Sequence, residues 1–178
     1  MTDVRQNWQL WRAHIDADSI LALEDELDPQ PAVTFSGDAT NKRRSKVAWV
    51  YNAMVQDLLY AYVQQAASVI GVDVIKQCEI QYTIYEGSKQ GHYDWHHDVD
   101  WGNNSGQDRK LSITVQLSDP ADYEGGDFEF IEVPGLPDYY KEKGSVLVFP
   151  SYLSHRVLPV TSGVRKSLVA WFWGPQWR

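Results

Sequence analysis

Apolar positions change their rhythm at about two-fifths of the way along the chain. Before Gly71 they recur every three to four residues, and after it they alternate or cluster in short runs. Ile20, Leu21, Leu23 and Leu27 predict a short helix that Ser19 is placed to cap. Asp28-Pro29-Gln30-Pro31 ends it, because proline lacks the amide donor a helix needs. From Lys46 to Ile70, the spacing of Val50, Met54, Leu58, Val63 and Ile70 predicts one long helix, with Gly71 as its stop. Beyond Gly71, β-branched and aromatic residues predict strands near 76–85, 93–100, 110–118, 127–132, 145–149, 154–160 and 166–174. Glycines fall between most of them.

Helices first and many short strands afterwards indicate an α+β fold, a sandwich or barrel with helices backing one sheet. There is no internal repeat, low-complexity tract or Pro/Gly linker. A length of 178 residues fits a single domain, 1–178. In this reading residues 1–71 are mainly helical support, and 72–178 form the strand core that carries the site.

Composition narrows the class. Hydrophobic residues make up 43%, enough for a core, and 8 Trp and 10 Tyr supply pocket-lining rings. No run of 18 apolar residues suggests a membrane span, and Met1–Arg12 does not read as a secretory leader. The lone Cys78 cannot form an internal disulfide, which favours an intracellular, cytoplasmic setting. A formal net charge of -8 argues against a nucleic-acid partner. The one dense basic run, Asn41-Lys42-Arg43-Arg44-Ser45-Lys46, reads as a solvated loop before a helix.

The chemistry concentrates in Gly91-His92-Tyr93-Asp94-Trp95-His96-His97-Asp98-Val99-Asp100. On a regular strand, His92, Asp94, His96, Asp98 and Asp100 share one face, and His97 points away. A His and a carboxylate two apart can reach one ion. A distant histidine would complete a facial triad with open positions, the arrangement suited to non-haem iron(II). Spacing alone does not choose between His92/Asp94 and His96/Asp98, nor does it exclude Asp100. A polar strand face without metal is an equally good reading of the pair by itself. His155 is the natural distal partner, since His14 falls in the helical part. Ten residues on comes Arg165, with Ser167 two further on the same strand face. The planar Arg fork can grip a carboxylate through two bonds, so a dicarboxylate could chelate the metal at one end and meet Arg165 at the other.

These residues together resemble the iron(II)/2-oxoglutarate-dependent oxygenase superfamily, in the style of the prolyl 4-hydroxylases. The likeness runs through Tyr85-Glu86-Gly87, Tyr93-Asp94-Trp95-His96-His97-Asp98, Leu117-Ser118, Gly125-Gly126-Asp127-Phe128, His155-Arg156-Val157 and Gly163-Val164-Arg165-Lys166-Ser167-Leu168-Val169-Ala170-Trp171. A tyrosine three before the ligand histidine is part of the family pattern, and Tyr93 then selects His96/Asp98. The resemblance implies a double-stranded β-helix, or jelly roll, with metal ligands His96, Asp98 and His155. It implies 2-oxoglutarate contacts from Arg165, Tyr85 and Ser167, and a substrate pocket near Tyr93, Trp101 and Trp171. Many relatives carry a tyrosine where Gln116 stands. The implied cofactors are Fe(II), 2-oxoglutarate as cosubstrate and dioxygen, with ascorbate as accessory reductant.

The reaction so implied hydroxylates a C–H bond, of a prolyl or other residue in a peptide or protein, and releases succinate and CO2. Hydroxylation of a free amino acid or small metabolite, nucleic-acid demethylation and a non-catalytic cupin-like metal-binding protein are the alternatives. Arg165 weighs against the last, which needs no carboxylate clamp. Two polar loops, 101–108 and 134–140, read as a lid over the substrate.

Overall fold

The computed structural model describes residues 7–33 and 42–178. Residues 1–6 of the N-terminal segment and Asn41 of the basic run lie outside the described residues. Two antiparallel sheets face each other, and a long helix backs the larger one.

The larger sheet contains β1 (Gln9–Trp11), β2 (Gln30–Pro31), β4 (Lys46–Trp49), β5 (Cys78–Glu86), β7 (Gln107–Gln116), β10 (Val146–Pro150) and β12 (Val160–Pro175) in the order β1-β10-β7-β12-β5-β4-β2. The short strand β8 (Tyr123–Gly125) also pairs with β12. The smaller sheet runs β3 (Arg43–Arg44), β6 (His92–His96), β11 (His155–Val157) and β9 (Phe128–Phe130). This is the α+β, double-stranded β-helix architecture that the resemblance implied.

Strict alternation builds both faces of the larger sheet. In β7, Leu111, Ile113 and Val115 turn outward, whereas Ser112, Thr114 and Gln116 turn toward the smaller sheet. In β12, Leu168, Ala170 and Phe172 turn outward, and Arg165, Ser167, Val169 and Trp171 turn inward. The outward face packs under helix α2 (Ala53–Ile70), whose buried side chains are Val55, Leu59, Tyr62, Val63, Ala66 and Ala67. Each large aliphatic side chain buried there contributes on the order of 1.5–3 kcal/mol. Between the sheets a second cluster forms, including Phe128, Phe149, Leu153, Val157 and Val160.

The N-terminal part differs from the sequence reading. Residues 46–49 are strand β4, paired with β5 and not helical. The helix starts only after Asn52, whose side chain accepts from the Met54 and Val55 amides, and it ends at Gly71 with φ 81°. The buried face is therefore not the one containing Met54 and Leu58, both of which are exposed. The earlier helix α1 spans Ala17–Leu21 and is capped by Asp16 rather than Ser19, followed by a single 3-10 turn over Glu24–Glu26. The described residues of 1–71 thus supply strands β1 to β4 as well as the helices. The basic run is not a solvated loop either. Arg43 pairs with Tyr93 in the smaller sheet and is buried.

Candidate metal centre

Strand β6 delivers the first ligand through an irregularity. His155 lies opposite His96 and Val157 opposite Tyr93, so two steps along β11 answer three along β6. An extra residue of this kind is a β-bulge, which breaks alternation. It brings Tyr93 and His96 to one side, where their rings stack 3.4 Å apart at 11°. The expectation that His92, Asp94, His96, Asp98 and Asp100 share a face fails for this reason. His92 Nδ1 meets the Gln90 carbonyl, Asp94 accepts from the Trp95 amide, and Asp100 accepts from the Gly102 amide in a turn.

Asp98 lies just past the end of β6. Its amide donates to the Ser151 carbonyl, which ties it to the turn before β11. His155 opens β11. Ligand atoms of His96, Asp98 and His155 all lie within 4.8 Å of one another, the one such group among the described residues. His96 Nε2 is 3.7 Å from Asp98 Oδ1, and His155 Nε2 is 3.6 Å from Asp98 Oδ2.

Surrounding contacts fix how each group points. His96 Nδ1 lies 2.7 Å from the Asp94 carbonyl, and His155 Nδ1 lies 2.9 Å from the Leu153 carbonyl. A carbonyl only accepts, so both Nδ1 atoms carry a proton and both Nε2 atoms are left facing Asp98. Ser112 Oγ donates to Asp98 Oδ2 at 2.6 Å and sits 3.0 Å from Ser151 Oγ. Phe128 stacks on the His155 ring at 5.3 Å, and Phe149 meets it edge-on at 4.8 Å.

Burial dominates the electrostatics. It lowers the His96 pKa to about 3, reinforced by His155, so the imidazole is neutral. For Asp98 burial pushes the other way, but His155, His96, Ser112 and Trp171 together hold its carboxyl below the ordinary value. The Trp171 indole is near enough to favour that charge, although its N–H forms no direct hydrogen bond. Two imidazole Nε2 atoms converge on a buried carboxylate whose charge a cation would balance. Two imidazoles and one carboxylate suit iron(II) with open positions.

The same cavity is lined by Arg165, Tyr85, Ser167, Tyr93 and Trp171. Arg165 is only 2% exposed, and among the described residues it pairs with no carboxylate. Gln116 Oε1 accepts from its Nη2 at 2.9 Å, while its Nε is buried without a partner. A guanidinium so placed calls for an anion. Its methylene stem needs Gly126, where a Cβ would come within 2.9 Å of Arg165 Cδ.

Trp101 does not line the cavity. The Asp100 turn carries it outward, where it is 59% exposed and faces the His97 ring. Tyr140, in the second loop, is buried and accepts a hydrogen bond from the Phe128 amide. Sequence reasoning missed Ser112, Phe128, Phe149 and Arg43, whose guanidinium covers the Tyr93 ring at 4.5 Å. It also missed Arg109, which lies 4.2 Å over the Trp171 ring while bonded to Glu79. The alternating polar positions of Leu111-Ser112-Ile113-Thr114-Val115-Gln116 were the available signal for Ser112.

The sequence model of the 2OG-Fe(II) oxygenase superfamily matches residues 80–173, more than half of the chain. A PKHD-type hydroxylase of Synechococcus sp. (strain CC9311) is 36% identical over 91 residues, 51% of this chain and 40% of that protein. The chain thus aligns with less than half the length of that relative. A Pseudomonas putida prolyl-4-hydroxylase structure superposes with TM-score 0.69 at 21% identity, covering 93% of this chain and 92% of that one. A Trichoplax adhaerens prolyl hydroxylase, solved with a hypoxia inducible factor oxygen degradation domain peptide fragment, gives TM-score 0.72 at 16% identity, covering 93% and 83%. At these identities the structural likeness concerns the fold.

Proposed function

Because the chain belongs to the 2OG-Fe(II) oxygenase superfamily, we propose that it hydroxylates a C–H bond of a prolyl or other residue in a peptide or protein. Its residues 1–178 act in this reading as a single oxygenase domain, working in the cytoplasm. The observation that carries the reading is the joint presence, in one cavity, of the His96/Asp98/His155 cluster and the buried cation of Arg165. A metal-binding protein without cosubstrate has no use for the second.

His96, Asp98 and His155 would hold iron(II) through Nε2, a carboxylate oxygen and Nε2. When bound, iron(II) and 2-oxoglutarate together activate dioxygen for hydroxylation, with release of succinate and CO2. The chain's own part is binding, orientation and exclusion of water. Nδ1–H bonds to the Asp94 and Leu153 carbonyls fix both imidazoles in the ligating tautomer. Ser112 fixes the Asp98 carboxylate. Arg165 would take the distal carboxylate of 2-oxoglutarate, with Tyr85 and Ser167 beside it on the neighbouring strand and the same strand. Phe128, Phe149 and Val157 keep water from the inner side. Trp171 and Tyr93 border the cavity and would face the substrate.

The peptide half of the reading is supported by the PKHD-type hydroxylase relative and by the prolyl hydroxylase neighbours. It is tested with Fe(II), 2-oxoglutarate and ascorbate, offering a proline-containing peptide library and, in parallel, free amino acids and small metabolites. A gain of one oxygen on a prolyl or other peptide residue is expected. Gain of oxygen only on free amino acids or small metabolites would overturn it.

A further inference from the structure

Arg165 cannot orient itself. Its guanidinium is buried, its Nε has no partner, and its ring neighbour Tyr85 lies 5.4 Å from Cζ. The described residues offer it one hydrogen bond, from Nη2 to Gln116 Oε1. Arginine only donates, so the amide oxygen of Gln116 must be the atom that faces it. Gln116 is itself 2% exposed and does not line the cavity. Its backbone is held on both sides: its amide donates to the Ser145 carbonyl, and its carbonyl accepts from the Gly144 amide. In register it lies opposite Ser167, two residues from Arg165 on the inner face.

We propose that Gln116 is a positioning residue that sets the Arg165 fork for the distal carboxylate of the cosubstrate. This rests on the reading of Arg165 given above. The neutrality of Gln116 is as important as its acceptor. A carboxylate at 116 would neutralise the guanidinium from behind and compete with the incoming anion. An amide fixes one Nη and leaves the positive charge for the ligand. The role therefore concerns only the end of the cosubstrate that lies away from the metal.

The test is anaerobic titration of 2-oxoglutarate into the Fe(II)-loaded protein, followed by the visible absorption that a 2-oxo acid chelated to iron produces. Gln116→Met keeps length and removes the acceptor; Gln116→Glu keeps the acceptor and adds charge. The metal-bound half is monitored with 2-oxobutyrate, which chelates but has no distal carboxylate. Gln116→Met is expected to weaken 2-oxoglutarate about tenfold, the loss of one hydrogen bond to a charged group. Gln116→Glu is expected to weaken it at least as much while raising the melting temperature of the cosubstrate-free protein. Binding of 2-oxobutyrate is expected to stay within twofold in both. If both variants bind 2-oxoglutarate like the wild type while Arg165→Gln does not, the role of Gln116 is refuted. Equal weakening of 2-oxobutyrate and 2-oxoglutarate would refute it too, since the defect would then be general. If Arg165→Gln also binds normally, the reading of Arg165 itself fails and this one falls with it.

Discussion

Burial and bonding act on Asp98 in opposite directions. Burial disfavours its charge, and the two imidazoles, Ser112 and Trp171 restore it. Of these Ser112 is the one outside the ligand set that bonds the carboxylate directly. Ser112→Ala should therefore weaken Fe(II) binding about 10- to 100-fold, as loss of a bond behind a metal ligand does. Competition with a chelator measures it, and unchanged affinity would remove Ser112 from the centre. His96 gives a pH effect with a definite sign. Its ordinary pKa is 6.5, and burial lowers it to about 3 in the folded state. The unfolded chain thus binds the proton first, and the folded metal-free protein loses stability as pH falls from 6.5 toward about 3. The contribution is fully present above that window. Urea unfolding of metal-free wild type and His96→Gln, at neutral pH and midway through the window, should show a larger loss in the wild type. Equal losses would contradict the account.

At the scale of elements, the strand core was legible and the first 71 residues were not. β7 and β10 have long runs of alternating or apolar residues, and both appear within a few residues of where periodicity placed them. The long helix was legible at its end, because Gly71 adopts the left-handed conformation that a stop requires. Its start was misread because Lys46-Val47-Ala48-Trp49 continues an apparent helical spacing through Val50. Pairing with β5 decides that segment, and pairing is not a local property. The bulge in β6 was hidden for the same reason: it exists only in register with β11. The Gly125-Gly126 pair was visible as a motif, but its physical cause was not. Gly126 has φ 65°, and a Cβ there would press on Arg165 Cδ and Val160 Cγ2, both at 2.9 Å. Gly126→Ala should cost about 1 kcal/mol or more in stability through the left-handed conformation alone. It should also weaken 2-oxoglutarate binding by displacing Arg165. Denaturant unfolding and anaerobic titration check the two effects, and a variant destabilised but normal in 2-oxoglutarate affinity would detach Gly126 from Arg165.

Across the whole molecule, the sequence showed the outline of the site and not its interior. His155 and Arg165 stood out as distal partners on a late strand pair. His96 and Asp98 required the family pattern, since His92 and Asp94 have the same spacing. The fold places His92 and Asp94 in local backbone contacts, and neither lines the cavity. Partners that come from other strands, such as Arg43, Arg109 and Phe128, could not be assigned before the topology was known. No helix among the described residues is long and apolar enough to cross a membrane. The central claim is that one cavity joins an iron site to a carboxylate clamp and uses both in catalysis. The most direct measurement is succinate formed from 2-oxoglutarate by the wild type, Asp98→Ala and Arg165→Gln, with Fe(II), ascorbate and dioxygen present. The account predicts succinate from the wild type, none above background from Asp98→Ala, and recovery of Arg165→Gln only at much higher 2-oxoglutarate. Full turnover by Asp98→Ala, or an unchanged 2-oxoglutarate requirement in Arg165→Gln, would contradict it.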